Sequence, residues 1–171
     1  MAYSKLRRTI NVEHRFIECR LSFDEVHHSL LNLVPVLKPE IWEMLARGER
    51  DKVEEARRTG PKLWLFLTRN HGELTTADGV KSKAMQYEIG NPLTATRMTR
   101  YQLAAGLYAP LRLYLYGNSQ GQAVFEYDLP SSLFGQFGDE RVTAAGSELD
   151  MNWRKHWKLR QASDNNARAT M

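Results

Sequence analysis

The chain has 171 residues, of which 42% are hydrophobic and 26% charged, the composition of one globular domain with a core of its own. It contains no apolar run near the roughly 20 residues of a membrane-spanning helix. Its single cysteine, Cys19, excludes an internal disulfide and a cysteine-based metal cluster. The formal net charge is +4, and residues 152–160 alone carry that charge, so no broad nucleic-acid-binding face is expected.

The N-terminal residues, MAYSKLRRTINV, include basic side chains but no apolar segment of a secretory signal, so we expect a cytoplasmic protein. An alternating pattern at Ile10, Val12, His14 and Phe16 then predicts a first strand that ends near Cys19. His14 falls on the apolar side of this pattern. There, a partly buried histidine hydrogen-bonded to a neighbour is favoured over a ligand role.

A capping box formed by Ser22 and Glu25 predicts the start of a first helix, whose apolar positions continue toward Pro35. His27 and His28 lie within this helix. Adjacent helical positions point about 100° apart, so these two histidines are not expected to bind a metal ion together.

A pair of helices is predicted next. Pro39 is typical of a helix start and Gly48 of a helix end, and the charged stretch 49–59 predicts a second, solvated helix. We interpret residues 38–60 as a helical insertion. It is either a lid or partner surface, or a decoration that covers one edge of a sheet.

The continuous apolar run 63–67 predicts a central strand covered on both faces. One face would meet helices, and the other would meet a partner subunit or the inserted helices. Asn70 and His71 follow in a polar cluster, and loops at the end of a buried strand often carry function. His71 is therefore the candidate catalytic residue.

The segment 81–130 is the most informative part of the sequence. Residues 83–89 alternate as a half-buried strand, and Asn91 caps a short helix over 92–100. A hairpin follows around the turn 117–121. The residues expected to face inward are Leu111, Leu113 and Leu115 on its first strand and Ala123, Phe125 and Tyr127 on its second.

Asp139 is expected to cap a final helix that ends near Leu159. Val142, Ala145, Leu149 and Trp153 share one face of it. Trp153 and Trp157 lie among basic residues, where core packing is favoured over an interfacial surface or stacking on nucleic acid. We predict one α+β domain over 1–160 and a disordered tail over 161–171.

An ordered series of motifs resembles the family known as domain of unknown function 302 over about residues 63–137. The series consists of His71, Gly90-Asn91-Pro92, Thr96, Pro110-Leu111, and Tyr127 with Pro130. Leu93 and Arg97 replace a lysine and a proline of the family pattern, and Ala109 replaces a leucine. The resemblance implies a TBP-like β-α-β(4)-α fold, in which helices pack on an antiparallel sheet, and a homodimer. It implies no activity.

Motifs of nucleotide-binding loops, zinc proteases and serine hydrolases are absent from the sequence, and we expect no cofactor or metal. The first hypothesis is a small-molecule-binding domain for an apolar or aromatic ligand, with its pocket between sheet and helices. The candidate lining residues are Asn70, Tyr87, Asn91, Thr96, Arg97, Tyr108 and Tyr127. For Asn91, helix capping is favoured over anion binding. If the strands before His71 and Asn91 are adjacent and antiparallel, these two residues lie at opposite ends of the sheet.

Two alternatives remain open. The first is a cofactor-independent isomerase, cyclase or lyase that acts on an apolar metabolite, with His71 as general acid or base. The second is a structural dimerisation module that uses the face of the apolar run 63–67.

Overall fold

A computed structural model describes residues 4–168 of the chain, and their side chains as far as Lys155. Five strands and seven α-helices are described, with two short 3-10 turns over Thr75–Asp78 and Leu103–Tyr108. In chain order they are β1 (His14–Ser22), α1 (Phe23–Leu33), α2 (Pro39–Ala46), α3 (Arg50–Thr59), β2 (Trp64–Asn70), α4 (His71–Leu74), β3 (Ala84–Gly90), α5 (Pro92–Thr99), β4 (Leu111–Gly117), β5 (Gln122–Asp128), α6 (Pro130–Gly135) and α7 (Glu140–Arg168).

The strands form one sheet in the order β1-β5-β4-β3-β2, and all neighbours are antiparallel. Helices α1, α5, α6 and α7 contribute to a core that covers one face of this sheet. The predicted α+β class, an antiparallel sheet with helices packed on it, is confirmed. The finer description as TBP-like stays a prediction.

Side chains fill the space between the sheet and its helices. Tyr87, Leu113 and Phe125 on the sheet and Phe134 and Val142 on the helices are completely buried. Large aromatic and aliphatic groups from both layers belong to one buried cluster there. These side chains occupy the place at which the pocket was predicted.

β2 is an edge strand and not the predicted central one. The outer edge of β2 forms backbone hydrogen bonds with residues 35–37. Leu65 N–H donates to the Pro35 carbonyl and Leu37 N–H donates to the Leu65 carbonyl, each at 2.9 Å. Leu65 packs into the main core, while Trp64 belongs to a second apolar cluster. The sequence of β2 resembles that of a central strand because the first half of β2 is covered on both faces, as predicted. The strand nevertheless lies at the edge of the sheet.

The helical pair α2 and α3 supplies the second cover. Met44 of α2 and Val53 of α3 pack against Trp64 and against Leu93 of α5. Val53 is one of the few apolar positions in the charged helix α3, and it is buried. The second face of β2 is thus covered by the inserted helices and not by a partner subunit, which was the other predicted possibility.

β1 presents the opposite face to the one predicted. Ile17 and Cys19 pack against the core, whereas His14 and Phe16 lie on the other side, and Phe16 is 55% exposed. The register sets this choice, because Ile17 lies opposite Phe125, whose side chain is in the core. The prediction that His14 is partly buried on an apolar face is wrong, because its side chain is exposed, but the predicted hydrogen bonding to neighbouring side chains is present.

The capped start of α7 is as predicted. Asp139 accepts a hydrogen bond from the Arg141 backbone at 2.9 Å, and its ion pair with the Arg141 side chain lowers the pKa of Asp139 to about 2. The four residues predicted to share an apolar face, Val142, Ala145, Leu149 and Trp153, are all buried. No helix among the described residues is long and apolar enough to cross a membrane.

The backbone of α7 continues to Arg168, nine residues past the predicted end near Leu159. The side chain of Trp157 lies outside the described ones. Disorder of the tail 161–171 in solution stays a prediction, and residues 169–171 lie outside the described part of the chain.

Candidate functional site

His71 lies on the face of the sheet that the core does not use, which we call the open face. It carries Arg112, Tyr114 and Tyr116 of β4 and Glu126 and Asp128 of β5. The His71 ring meets Tyr114 edge-on, with centroids 5.5 Å apart and planes at 80°. The histidine therefore borders the open face and not the packed interior.

Two local features hold His71 at the first position of α4. Asn70 caps this helix, because its Oδ1 accepts from Glu73 N–H at 3.2 Å and its Nδ2 donates to the Glu73 carboxylate at 2.8 Å. Gly72 lies so close to the next segment that a Cβ there would be 2.3 Å from the Ser82 carbonyl oxygen. Asn70 thus positions its neighbour, and its own polar atoms are engaged.

A chain of contacts runs across the open face from Tyr114 to β1. The rings of Tyr114 and Tyr116 are 6.0 Å apart, and the Tyr116 hydroxyl donates to Glu126 at 2.7 Å. His14 contacts Glu126 through Nε2 at 3.2 Å and Asp128 through Nδ1 at 2.9 Å.

These bonds shift the acidity of two groups on the open face. The hydrogen bond to Glu126 raises the pKa of Tyr116 to about 12. The hydrogen bond to Asp128 raises the pKa of His14, and Glu126 adds to that effect. The raised pKa favours a protonated imidazole held between two carboxylates.

A groove of about 280 Å³ lies in the middle of the open face. Its polar and aromatic lining consists of His14, Gln86, Arg112, Tyr114, Glu126, Tyr127 and Asp128. Arg112 lies opposite Glu88 in the sheet register, but Glu88 accepts instead from Arg69 at 2.6 Å. Among the residues that the structure describes, Arg112 has no ion-pair partner. Its exposed guanidinium group is thus available to a ligand.

The other predicted site residues do not join His71. Tyr87 is buried in the core, and so is most of Tyr127, which packs against Trp153 with ring centroids 5.7 Å apart but also borders the groove. Tyr108 lies against Phe137 and donates to the Gln136 side chain at 3.4 Å.

The start of α5 forms a separate, structural cluster. Asn91 Oδ1 accepts from the N–H groups of Leu93 and Thr94, at 2.9 and 3.2 Å. Thr96 accepts from Arg57 at 3.0 Å, which ties α5 to α3, and Arg97 pairs with Glu148 at 2.5 Å. The N–H groups that an anion would need are therefore engaged by the cap.

His71 and Asn91 lie at opposite ends of the β2–β3 pair. The two strands are antiparallel neighbours, with Asn70 opposite Met85 and Trp64 opposite Gly90. The conditional prediction that they occupy different places is confirmed.

Sequence reasoning missed the groove. The alternation of β4 already placed Arg112, Tyr114 and Tyr116 on one face, but it did not show which strands lie beside them. Glu126 and Asp128 belong to no motif that would mark them as site residues in the sequence. Within the described side chains, no group of three or more histidine, cysteine or acidic residues could hold a metal ion.

The fold and the groove define a class: an α+β domain with a five-stranded antiparallel sheet, one face in the core and the other partly open. Residues 51–156 match the family model described as "Domain of unknown function DUF302", more than half of the chain, so the protein belongs to this family. The matched region is longer at both ends than the motif series and includes most of α3.

A solved structure is similar in fold. The crystal structure of an uncharacterized conserved DUF302 protein from Bacillus stearothermophilus superposes with a TM-score of 0.58 at 14% sequence identity. The similarity covers 84% of this chain and 94% of that one. At this identity it concerns the fold alone. No curated protein matches the chain.

Proposed function

We propose that this protein is a small-molecule-binding domain, and that its ligand is an aromatic or apolar carboxylic acid held in the groove of the open face. The observation that carries the proposal is the unpaired guanidinium group of Arg112 beside the ring of Tyr114. This location replaces the space between sheet and helices, which is packed.

The chemistry of the groove fits such a ligand. An arginine side chain binds a carboxylate through two parallel hydrogen bonds, and such charge-assisted bonds are stronger than neutral ones. The Tyr114 ring offers an apolar wall, and Gln86 adds a polar contact at the side. His14 lies between Glu126 and Asp128 and offsets part of the negative charge of these two carboxylates. A concave site with an aromatic wall and few polar anchors is the usual form of a small-molecule site.

The test is a thermal-shift panel of aromatic and apolar carboxylic acids, each beside its uncharged amide. We expect acids, and not amides, to raise the melting temperature, since ligands that bind the folded state stabilise it. Arg112→Gln should weaken binding about tenfold or more. Arg20→Gln, on an exposed arginine of β1 that does not line the groove, is the matched control. Equal shifts for acids and amides, or for both variants, would contradict the proposal.

His71 gives the groove a second candidate function, that of a cofactor-independent isomerase, cyclase or lyase. The observation that favours it is the edge-on contact of His71 with Tyr114, which places an imidazole at the rim of the groove. An imidazole has a pKa near the range needed for proton transfer at neutral pH. His71→Gln should then abolish turnover of a bound compound and leave its thermal shift in place. Unchanged turnover would reject an acid–base role.

Homodimerisation is the third element of the proposal, and we assign it to a different surface from the one predicted from the sequence. The first half of the run 63–67 is not available to a second copy, because Leu63, Trp64 and Leu65 are buried within the chain. The open face carries Phe16 and, by register, Leu67, which are exposed. A second copy would pack there.

A further inference from the structure

A short loop between α5 and β4 exposes two leucines almost completely. Residues 103–108, which we call the leucine loop, form a 3-10 turn in which Leu103 is 85% exposed and Leu107 is 81% exposed. Ala105 between them is completely buried and packs into the main core. The loop is thus anchored at its centre and displays its apolar side chains outward.

Arginines surround the leucine loop. Arg141 lies over the ring of Tyr101 at 3.7 Å and Arg100 over the same ring at 5.8 Å. On the other side, Tyr108 donates to Gln136, whose backbone carbonyl accepts from Arg8. Arg141 pairs with an acid, but within the described part of the chain Arg100 and Arg8 are in no ion pair. Cations therefore flank the exposed leucines on both sides.

We propose that the leucine loop is a membrane-docking element that inserts Leu103 and Leu107 into the surface of a bilayer rich in anionic lipid. Exposed apolar groups of this size mark interaction surfaces. Two leucine side chains that project almost completely exposed from the protein suit insertion between lipid headgroups. The unpaired charges of Arg100 and Arg8 complement lipid phosphates, and apolar insertion with basic attraction is the combination that holds peripheral proteins on membranes.

The experiment is co-sedimentation of the full chain with vesicles of phosphatidylcholine, with and without phosphatidylglycerol. We expect binding to the mixed vesicles that falls as salt rises, because salt screens exposed charges. Leu103→Ser with Leu107→Ser should weaken this binding about tenfold or more, since the inserted apolar area is lost. That variant keeps every charge, so it separates the contribution of the loop from that of the basic side chains at 154–160.

A matched control replaces two exposed apolar residues elsewhere, Leu74→Ser with Val80→Ser, which are 68% and 53% exposed. This variant should bind vesicles like the wild-type chain. In a second readout, the emission of L103W should shift further to the blue on mixed vesicles than that of the wild-type chain, whose four tryptophans give the background. Absence of vesicle binding, undiminished binding of the double leucine variant, or an unshifted emission would each overturn the proposal, the second by assigning binding to charge alone.

Discussion

His27 and Tyr87 form a polar pair beneath α1, with the imidazole Nδ1 and the phenol oxygen 2.5 Å apart. Tyr87 is completely buried, whereas His27 is half-buried and stacks on Phe23 with centroids 5.8 Å apart. Removal of one partner should therefore change the free energy of unfolding by a different amount from removal of the other. A buried hydroxyl without a partner loses its hydration, whereas an imidazole near the surface can bond water instead.

We predict unequal effects for the two halves of this pair. Tyr87→Phe removes the hydroxyl together with its need for a partner, so it should cost about 1 kcal/mol of unfolding free energy. His27→Phe leaves the hydroxyl buried alone and should cost more, in a range of about 1–3 kcal/mol. Urea denaturation measures both, with His28→Phe on the exposed side of the same helix as control. Equal losses for the two variants would contradict this asymmetry.

Two histidines should give stability opposite dependences on pH. Burial, with a contribution from His28, lowers the pKa of His27 below its usual 6.5, so its share of stability is present above pH 6.5 and lost as pH falls below it. The bond to Asp128 raises the pKa of His14 above 6.5, so its share is present below pH 6.5 and lost as pH rises through the folded pKa.

The expected result is measured as unfolding free energy at about pH 7.5 and 5.5, on either side of the ordinary histidine pKa. His27→Phe should make the loss of stability on acidification smaller than in the wild-type chain. His14→Gln should make it larger, because a contribution that grows toward acid is removed. Changes of the same sign in both variants would contradict the assignment.

At the scale of elements, α4 depends on a glycine. Gly72 approaches the chain before β3 so closely that a Cβ would be 2.3 Å from the Ser82 carbonyl oxygen and 3.0 Å from Ala84 N. Both contacts are backbone atoms and cannot rotate away. We expect Gly72→Ala to cost about 1–3 kcal/mol, the range for overpacking.

The Gly72→Ala variant should also weaken the contact between His71 and Tyr114, because α4 must move. Urea denaturation gives the stability, and the chemical shifts of the His71 imidazole report the ring contact. Gly135→Ala is the matched control, since its Cβ would meet side-chain atoms no closer than 3.9 Å. An unchanged His71 environment in Gly72→Ala would show that α4 does not need this close approach.

Elements with local signals could be predicted from the sequence. The capping box at Ser22 and Glu25, the Asn91 cap and the turn at Asn118 and Gly121 all form as expected. Each of these signals acts between residues a few positions apart, so the local sequence is enough to predict it.

Elements fixed by long-range pairing could not be predicted in the same way. The apolar run of β2 is explained by an insertion that packs over the strand. A strand buried in this way has the same apolar sequence pattern as a central strand, so the sequence does not distinguish the two. The face of β1 depends on its register with β5, and a slip of one residue turns every side chain over. The groove is hidden for the same reason, because Arg112 and Glu126 become neighbours only when β4 and β5 pair.

At the scale of the whole molecule, the proposed homodimer can be tested at the exposed Phe16 of the open face. We expect sedimentation velocity at micromolar concentration to show a dimer if a second copy covers Phe16. Phe16→Ser should then shift the chain toward monomer, because an exposed ring that loses its burial in an interface no longer contributes to association. Trp42→Ser, on an exposed residue of α2, is the control. A wild-type monomer would remove dimerisation from the proposal.

The strand order has a consequence for how the chain matures. Four strands, β2 to β5, each pair with a strand that is adjacent in the sequence. They can therefore form hydrogen bonds with one another as soon as they leave the ribosome. β1 is synthesised first, yet its partner is β5, and His14 bonds to Asp128 across a separation of 114 residues. Because closing so long a loop is slow, the opening strand and its helix must wait, unpaired, until translation has passed the last hairpin. The N-terminal strand can therefore join the sheet only after β5 has been synthesised.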